Sequence, residues 1–143
     1  MSGGLRKVVR AWLVALAAGQ LLLGVWTVLF PASFYNNVPT VDWTPPYSEH
    51  LFRDFGGATL GITVVVIAAA IWLERRLVII SQLSYLAFSL PHLIFHAGHL
   101  HGDSALLSTL LVVGPGLSVL IPLAMIAISW SALAPADTVT RLP

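Results

Sequence analysis
Four of the five histidines fall in one stretch, Pro91-His92-Leu93-Ile94-Phe95-His96-Ala97-Gly98-His99-Leu100-His101-Gly102-Asp103. On a helix advancing about 100° per residue, His96 lies about 40° and His99 about −20° from His92, so three imidazoles form one stripe over two turns. Imidazole nitrogens spaced in this way can hold a transition metal, or give and take protons as general acid and base. His101 falls on the opposite side. The fifth histidine stands in Ser48-Glu49-His50-Leu51-Phe52-Arg53-Asp54, whose Glu49, Arg53 and Asp54 are the only charged residues outside the evident loops and tails. The two stretches are expected to meet in space.

Spacing points to a metal first. Histidines at i and i+4 present two nitrogens to one ion, and a carboxylate from the other stretch can complete the shell. The expected ligand set is His92, His96, His99, His50 and Asp54. Glu49, Arg53 and Tyr85 support it: Glu49 orients a ligand, Arg53 pairs with Glu49 at i,i+4, and Tyr85 continues the stripe through Phe88 and Ser81, flanked by Ser89 and Gln82. His50 and Asp54 are four apart, and Gly57 and Gly61 continue their face as a Gly-xxx-Gly pair suited to close helix approach. The cofactor expected is a single divalent ion of zinc, copper or iron, with haem held by two histidines as the alternative.

The pattern lacks the further histidines of membrane di-iron boxes, and His-Glu-x-x-His does not occur. The Glu-x-x-His pairs of di-iron bundles are also missing, because Phe52 stands three residues after Glu49. Other readings of the same residues remain open. The cluster can be a structural one that fixes two helices in register, inside an accessory subunit of a larger membrane complex. It can also be a metal-independent acid-base site for a lipid-like substrate, or the mouth of a proton path along Tyr85, Gln82 and Ser81.

The elements that must position these residues follow from composition. The chain has 143 residues, 57% of them hydrophobic and only 9% charged, with a mean hydropathy of +0.88. This is the composition of an integral membrane protein. The absence of cysteine excludes dithiol exchange, iron-sulfur ligation and thiolate zinc. A net charge of +1, carried by a few basic residues near span ends, gives no nucleic-acid footprint.

Four apolar runs, about 8–30, 49–73, 77–99 and 106–130, each suffice to cross a bilayer. They predict an all-α fold: a single four-span domain over residues 1–143, arranged as an antiparallel four-helix bundle in the lipid bilayer. Pro31 ends the first span, and a turn-rich loop leads to Ser48, the expected N-cap of the second helix. Glu74-Arg75-Arg76 forms the next turn. Gly102 is the expected stop of the third helix, and Gly114-Pro115-Gly116 with Pro122 should kink or loosen the fourth. Trp12, Trp26, Trp72 and Trp130 read as interfacial anchors, and Gln20 as an interhelical hydrogen-bond donor. Basic residues at the N-terminus, at Arg75-Arg76 and at Arg141 fall on one side of an even number of spans. By the positive-inside rule both termini are then cytoplasmic, in a multi-pass protein of the cell membrane, and the histidine site faces outward. The chain can act alone, as a homo-oligomer or within a larger complex.

The outer loop leading to Pro46-Tyr47-Ser48-Glu49-His50-Leu51-Phe52-Arg53-Asp54-Phe55-Gly56, followed by Pro91-His92 with His96 and His99, resembles a group of small actinobacterial four-helix membrane proteins. In architecture the chain is similar, more loosely, to the DoxX-like proteins. The resemblance implies the fold; it implies no activity, substrate or cofactor.

Overall fold
A computed structural model describes residues 3–43, 46–100 and 104–133. They form five helices: α1 (Gly3–Leu29), α2 (Pro31–Asn37), α3 (Glu49–Trp72), α4 (Arg75–Gly98) and α5 (Ala105–Ala132). Four of these are long and apolar enough to cross a membrane, with mean hydropathies of 1.6 to 2.3 over their most apolar windows. At 1.5 Å per residue they extend about 36–42 Å, more than the ~30 Å of bilayer hydrocarbon. The protein is an all-α, multi-pass membrane protein. Large apolar side chains such as Leu22, Val64, Ile71, Ile94, Leu106 and Leu120 are exposed on the bundle exterior, as a hydrocarbon solvent permits.

Local chemistry sets the helix boundaries. Phe30 leaves the helical region (φ −133°, ψ 55°), and Pro31 occupies the first position of α2, where its missing N–H costs nothing. The stretch expected to be a turn-rich loop thus contains a helix, followed by a single 3₁₀ turn at Val41–Trp43. Its aromatic residues knit it to the spans: Phe34 meets the Trp26 ring edge-on at 5.4 Å, and Tyr35 and Tyr47 both pack on Phe52. Ser48 caps α3 as expected, its Oγ accepting from the Leu51 amide at 3.4 Å, and Ser104 caps α5 in the same way through Leu107.

The turn between α3 and α4 is tighter than expected. Leu73 adopts the left-handed conformation (φ 53°) with its side chain buried, and α4 already begins at Arg75, so the turn is Leu73-Glu74. Helix α5 runs unbroken through Pro115 and Pro122. Helix α4 stops at Gly98 rather than at the expected Gly102, with His99 and Leu100 already outside it.

Consecutive spans are antiparallel. Helix α1 packs most extensively on α3 and α4 on α5, with lighter contacts between α3 and α4 and between α1 and α5. Across the bundle, Trp12 Nε1 of α1 donates to Gln82 Oε1 of α4 at 2.8 Å. This corrects two expectations, since Trp12 turns inward rather than anchoring at the interface, and Gln82 rather than Gln20 supplies the interhelical amide bond. Several buried hydroxyls are satisfied within their own helices: Thr59 bonds the Phe55 carbonyl, Thr63 that of Thr59, and Ser129 that of Met125.

Apolar burial is uneven along the bundle axis. Val9, Leu13, Val66, Ala69, Val78, Met125 and Leu133 form a core toward the end that carries the start of α1 and the α3–α4 turn. Toward the other end, α4 has no buried residue after Ser89 and α5 none before Val119. The histidines stand at this open end.

Candidate functional site
The close approach of α1 and α3 uses a different glycine from the expected pair. Gly57 and Gly61 face open space, whereas Gly56 is buried against Thr27, Val28 and the Gly24 carbonyl. A shift of one residue turns the whole helix by about 100°. His50 and Asp54 consequently point away from the interior, with their side chains 90% and 64% exposed. They pair with each other instead, His50 Nε2 lying 3.2 Å from Asp54 Oδ2.

Arg53 and Glu49 form the second pair of this stretch. Arg53 Nε donates to Glu49 Oε1 at 2.9 Å, and its Nη1 reaches across to the Val28 carbonyl in the last turn of α1. That carbonyl has no partner inside its own helix. Arg53 therefore ties the start of α3 to the end of α1, and its charge belongs to the fold.

On α4 the expected stripe is present through most of its length. Ser81, Gln82, Tyr85 and Ser89 are all buried, so the polar face does look inward. The Tyr85 hydroxyl lies beside that of Ser118 on α5. At the open end, His92 and His96 are half-buried neighbours one turn apart, their rings edge-to-face with centroids 4.5 Å apart. His92 also stacks on Phe88, whose ring meets Phe55 of α3 at 5.6 Å. Helices α3 and α4 therefore touch at this level through an aromatic pair, and no hydrogen bond or ion pair joins the carboxylates of α3 to the imidazoles of α4.

His99 departs from the stripe because α4 ends at Gly98. His99 takes the non-helical cap position (φ −128°, ψ 51°), its ring stacks on Phe95, and its Nδ1 is 2.8 Å from the Phe95 carbonyl. His101 lies outside the described residues. Among the described residues no three His, Asp or Glu side chains converge as a metal-holding group. The five-ligand shell expected from both stretches is not assembled. His50 and Asp54 are turned outward by the Gly56 register, and His99 is turned aside by the helix end.

Two histidines are left with unspent chemistry. His50 is engaged by Asp54 and His99 by a backbone carbonyl, but among the described residues no hydrogen bond or ion pair engages the ring nitrogens of His92 or His96. Three residues before His92, Ser89 Oγ is buried with no hydrogen-bond partner among the described residues. Compared with protein-family models, with curated proteins and with solved structures, the chain matches none. Any chemistry is therefore read from the site itself, whose centre is His92, His96 and Ser89 with Phe55, Phe88 and Phe95 around them. The sequence reading missed the aromatic frame, although Phe88 and Phe95 each precede a histidine by four residues, the spacing at which rings on one helix meet.

Proposed function
We propose that this membrane protein binds one divalent transition-metal ion at the open end of the bundle through His92 and His96, leaving the remaining coordination positions to water or to a bound substrate. The observation that carries the reading is the pairing of two adjacent imidazoles, one turn apart, whose nitrogens have no hydrogen-bond or ion-pair partner among the described residues. Neutral imidazole at i,i+4 suits zinc, copper or iron. Two protein ligands leave the ion open, which is the arrangement of a site that acts on something rather than one that only holds a structure together. Ser89, one turn before His92 on the same helix, adds a buried hydroxyl with no hydrogen-bond partner among the described residues. The positive-inside rule, applied to the basic residues at the opposite end, supports reading that end as the cytoplasmic one and the histidine end as facing outward.

The same unengaged nitrogens favour a second reading, an acid-base pair without metal. Protein purified through a tag free of histidine, then dialysed against micromolar zinc or copper, separates the two. About one equivalent of metal retained by the native chain and lost in the His92→Ala, His96→Ala double variant supports the metal site. A native chain that retains none, with unchanged fold, leaves the acid-base pair as the reading. A Soret band would move the two histidines to haem.

A further inference from the structure
The end of the bundle opposite the histidines carries most of the positive charge. Of the seven basic residues, Arg6, Lys7, Arg10, Arg75 and Arg76 gather there, while Arg53 stands at the other end and Arg141 outside the described residues. Glu74 is the only acid at this end among the described residues. Arg75 is already committed: its guanidinium donates to the Leu133 carbonyl at the end of α5 and lies over the Trp130 ring at 5.4 Å. No carboxylate lies within ion-pair distance of Arg6, Lys7, Arg10 or Arg76, since the ion pairs among the described residues are those of His50 and Arg53.

Three of these free cations share a recess. Gly3, Arg6, Lys7 and Arg10 of α1 and Leu73 of the α3–α4 turn line an open cavity of about 250 Å³. Gly3 contributes no side chain to fill it, with nothing within 4 Å of the position a Cβ would take. The membrane depth of the recess is marked by Trp72 and Trp130 at the same end, 63% and 61% exposed, as side chains of the bilayer interface are. Orientation in the membrane needs basic residues at this end, but it does not need three of them to line one cavity with no carboxylate of the described residues paired to them.

We propose that this recess binds the phosphate headgroup of an anionic phospholipid of the adjoining leaflet. Arg6 and Arg10 supply planar donors matched to phosphate oxygens and Lys7 a mobile point charge. Further along the same two helices, exposed apolar side chains such as Val14 of α1 and Ile71 of α3 offer a surface for the acyl chains. Basic pockets between spans recognise anionic headgroups on this principle.

The test is lipid selectivity of the full-length protein reconstituted in bilayers, read with spin-labelled phosphatidylglycerol and phosphatidylcholine. The native chain is expected to immobilise phosphatidylglycerol preferentially, and each basic residue neutralised should lower that preference roughly fivefold. The Arg6→Gln, Lys7→Gln, Arg10→Gln triple variant should treat the two lipids alike, while the charge-keeping Arg6→Lys, Arg10→Lys variant retains a preference. Equal immobilisation of both lipids by the native chain overturns the proposal without recourse to any variant. Full displacement of phosphatidylglycerol by millimolar inorganic phosphate also overturns it, by assigning the recess to a free anion. If the triple variant does not fold, Lys7→Gln alone must still show the partial loss, and an unchanged preference there counts against the site.

Discussion

Gly56 of α3 faces Gly24 of α1 so closely that a Cβ on Gly56 would lie 2.9 Å from the Gly24 carbonyl oxygen, 2.5 Å from Thr27 Oγ1 and 2.6 Å from Val28 Cγ2. The two backbones touch because neither residue has a side chain to hold them apart. Gly56→Ala must push the helices apart or displace Thr27 and Val28, an overpacking cost of about 1–3 kcal/mol. Gly57→Ala, one position along and facing open space, should stay within about 0.5 kcal/mol of the native chain. Reversible unfolding in mixed micelles distinguishes the pair, and equal effects would show that the α1–α3 contact is not where the structure puts it.

Arg53 joins Glu49 to the last turn of α1, and its side chain is 46% exposed. Solvent reduces what such an ion pair contributes, so the main loss in Arg53→Ala is the hydrogen bond to the Val28 carbonyl, about 1 kcal/mol. Glu49→Ala should cost less than Arg53→Ala, because the carbonyl bond survives. The reverse order in the same unfolding experiment would place the stabilisation in the ion pair.

Metal retention by single variants reads the division of labour on α4. His92→Ala and His96→Ala should each abolish retention of zinc or copper, because one remaining imidazole is a weak ligand. His99→Ala and His50→Ala should leave it unchanged, since those nitrogens already have partners. Loss of metal in His99→Ala would mean that the end of α4 refolds around the ion and restores the third member of the stripe.

A chain without cysteine makes orientation simple to measure. Single cysteines at Asn36 and Glu74, both exposed and at opposite ends of the bundle, should behave oppositely toward an impermeant thiol reagent applied to intact cells. Labelling of Asn36→Cys alone fits cytoplasmic termini. Labelling of Glu74→Cys alone would invert the protein and put the histidine pair inside the cell.

What the sequence made legible was whatever depends on one helix at a time. Hydropathy located four spans, and Ser48 was identifiable as a cap because its hydroxyl acts within its own first turn. The inward polar face of α4 followed from periodicity alone. The failures concern relations between helices. Whether Gly56 or Gly57 meets a neighbour is decided by the placement of Gly24 and Thr27 on α1, and that register carried His50 and Asp54 to the outside. His99 left its stripe for a different reason. Extrapolating a helix one residue past its last turn assigns a direction to a side chain whose backbone has already changed.

The pairing of α1 with α3 and of α4 with α5 makes the molecule two consecutive hairpins. Everything needed for the tightest interface is contained in the first 72 residues, so that interface can close while α4 and α5 are still being synthesised. The second hairpin meets the first across the bundle through Trp12 and Gln82. Two separately expressed segments divided at the Leu73-Glu74 turn would each carry one complete hairpin.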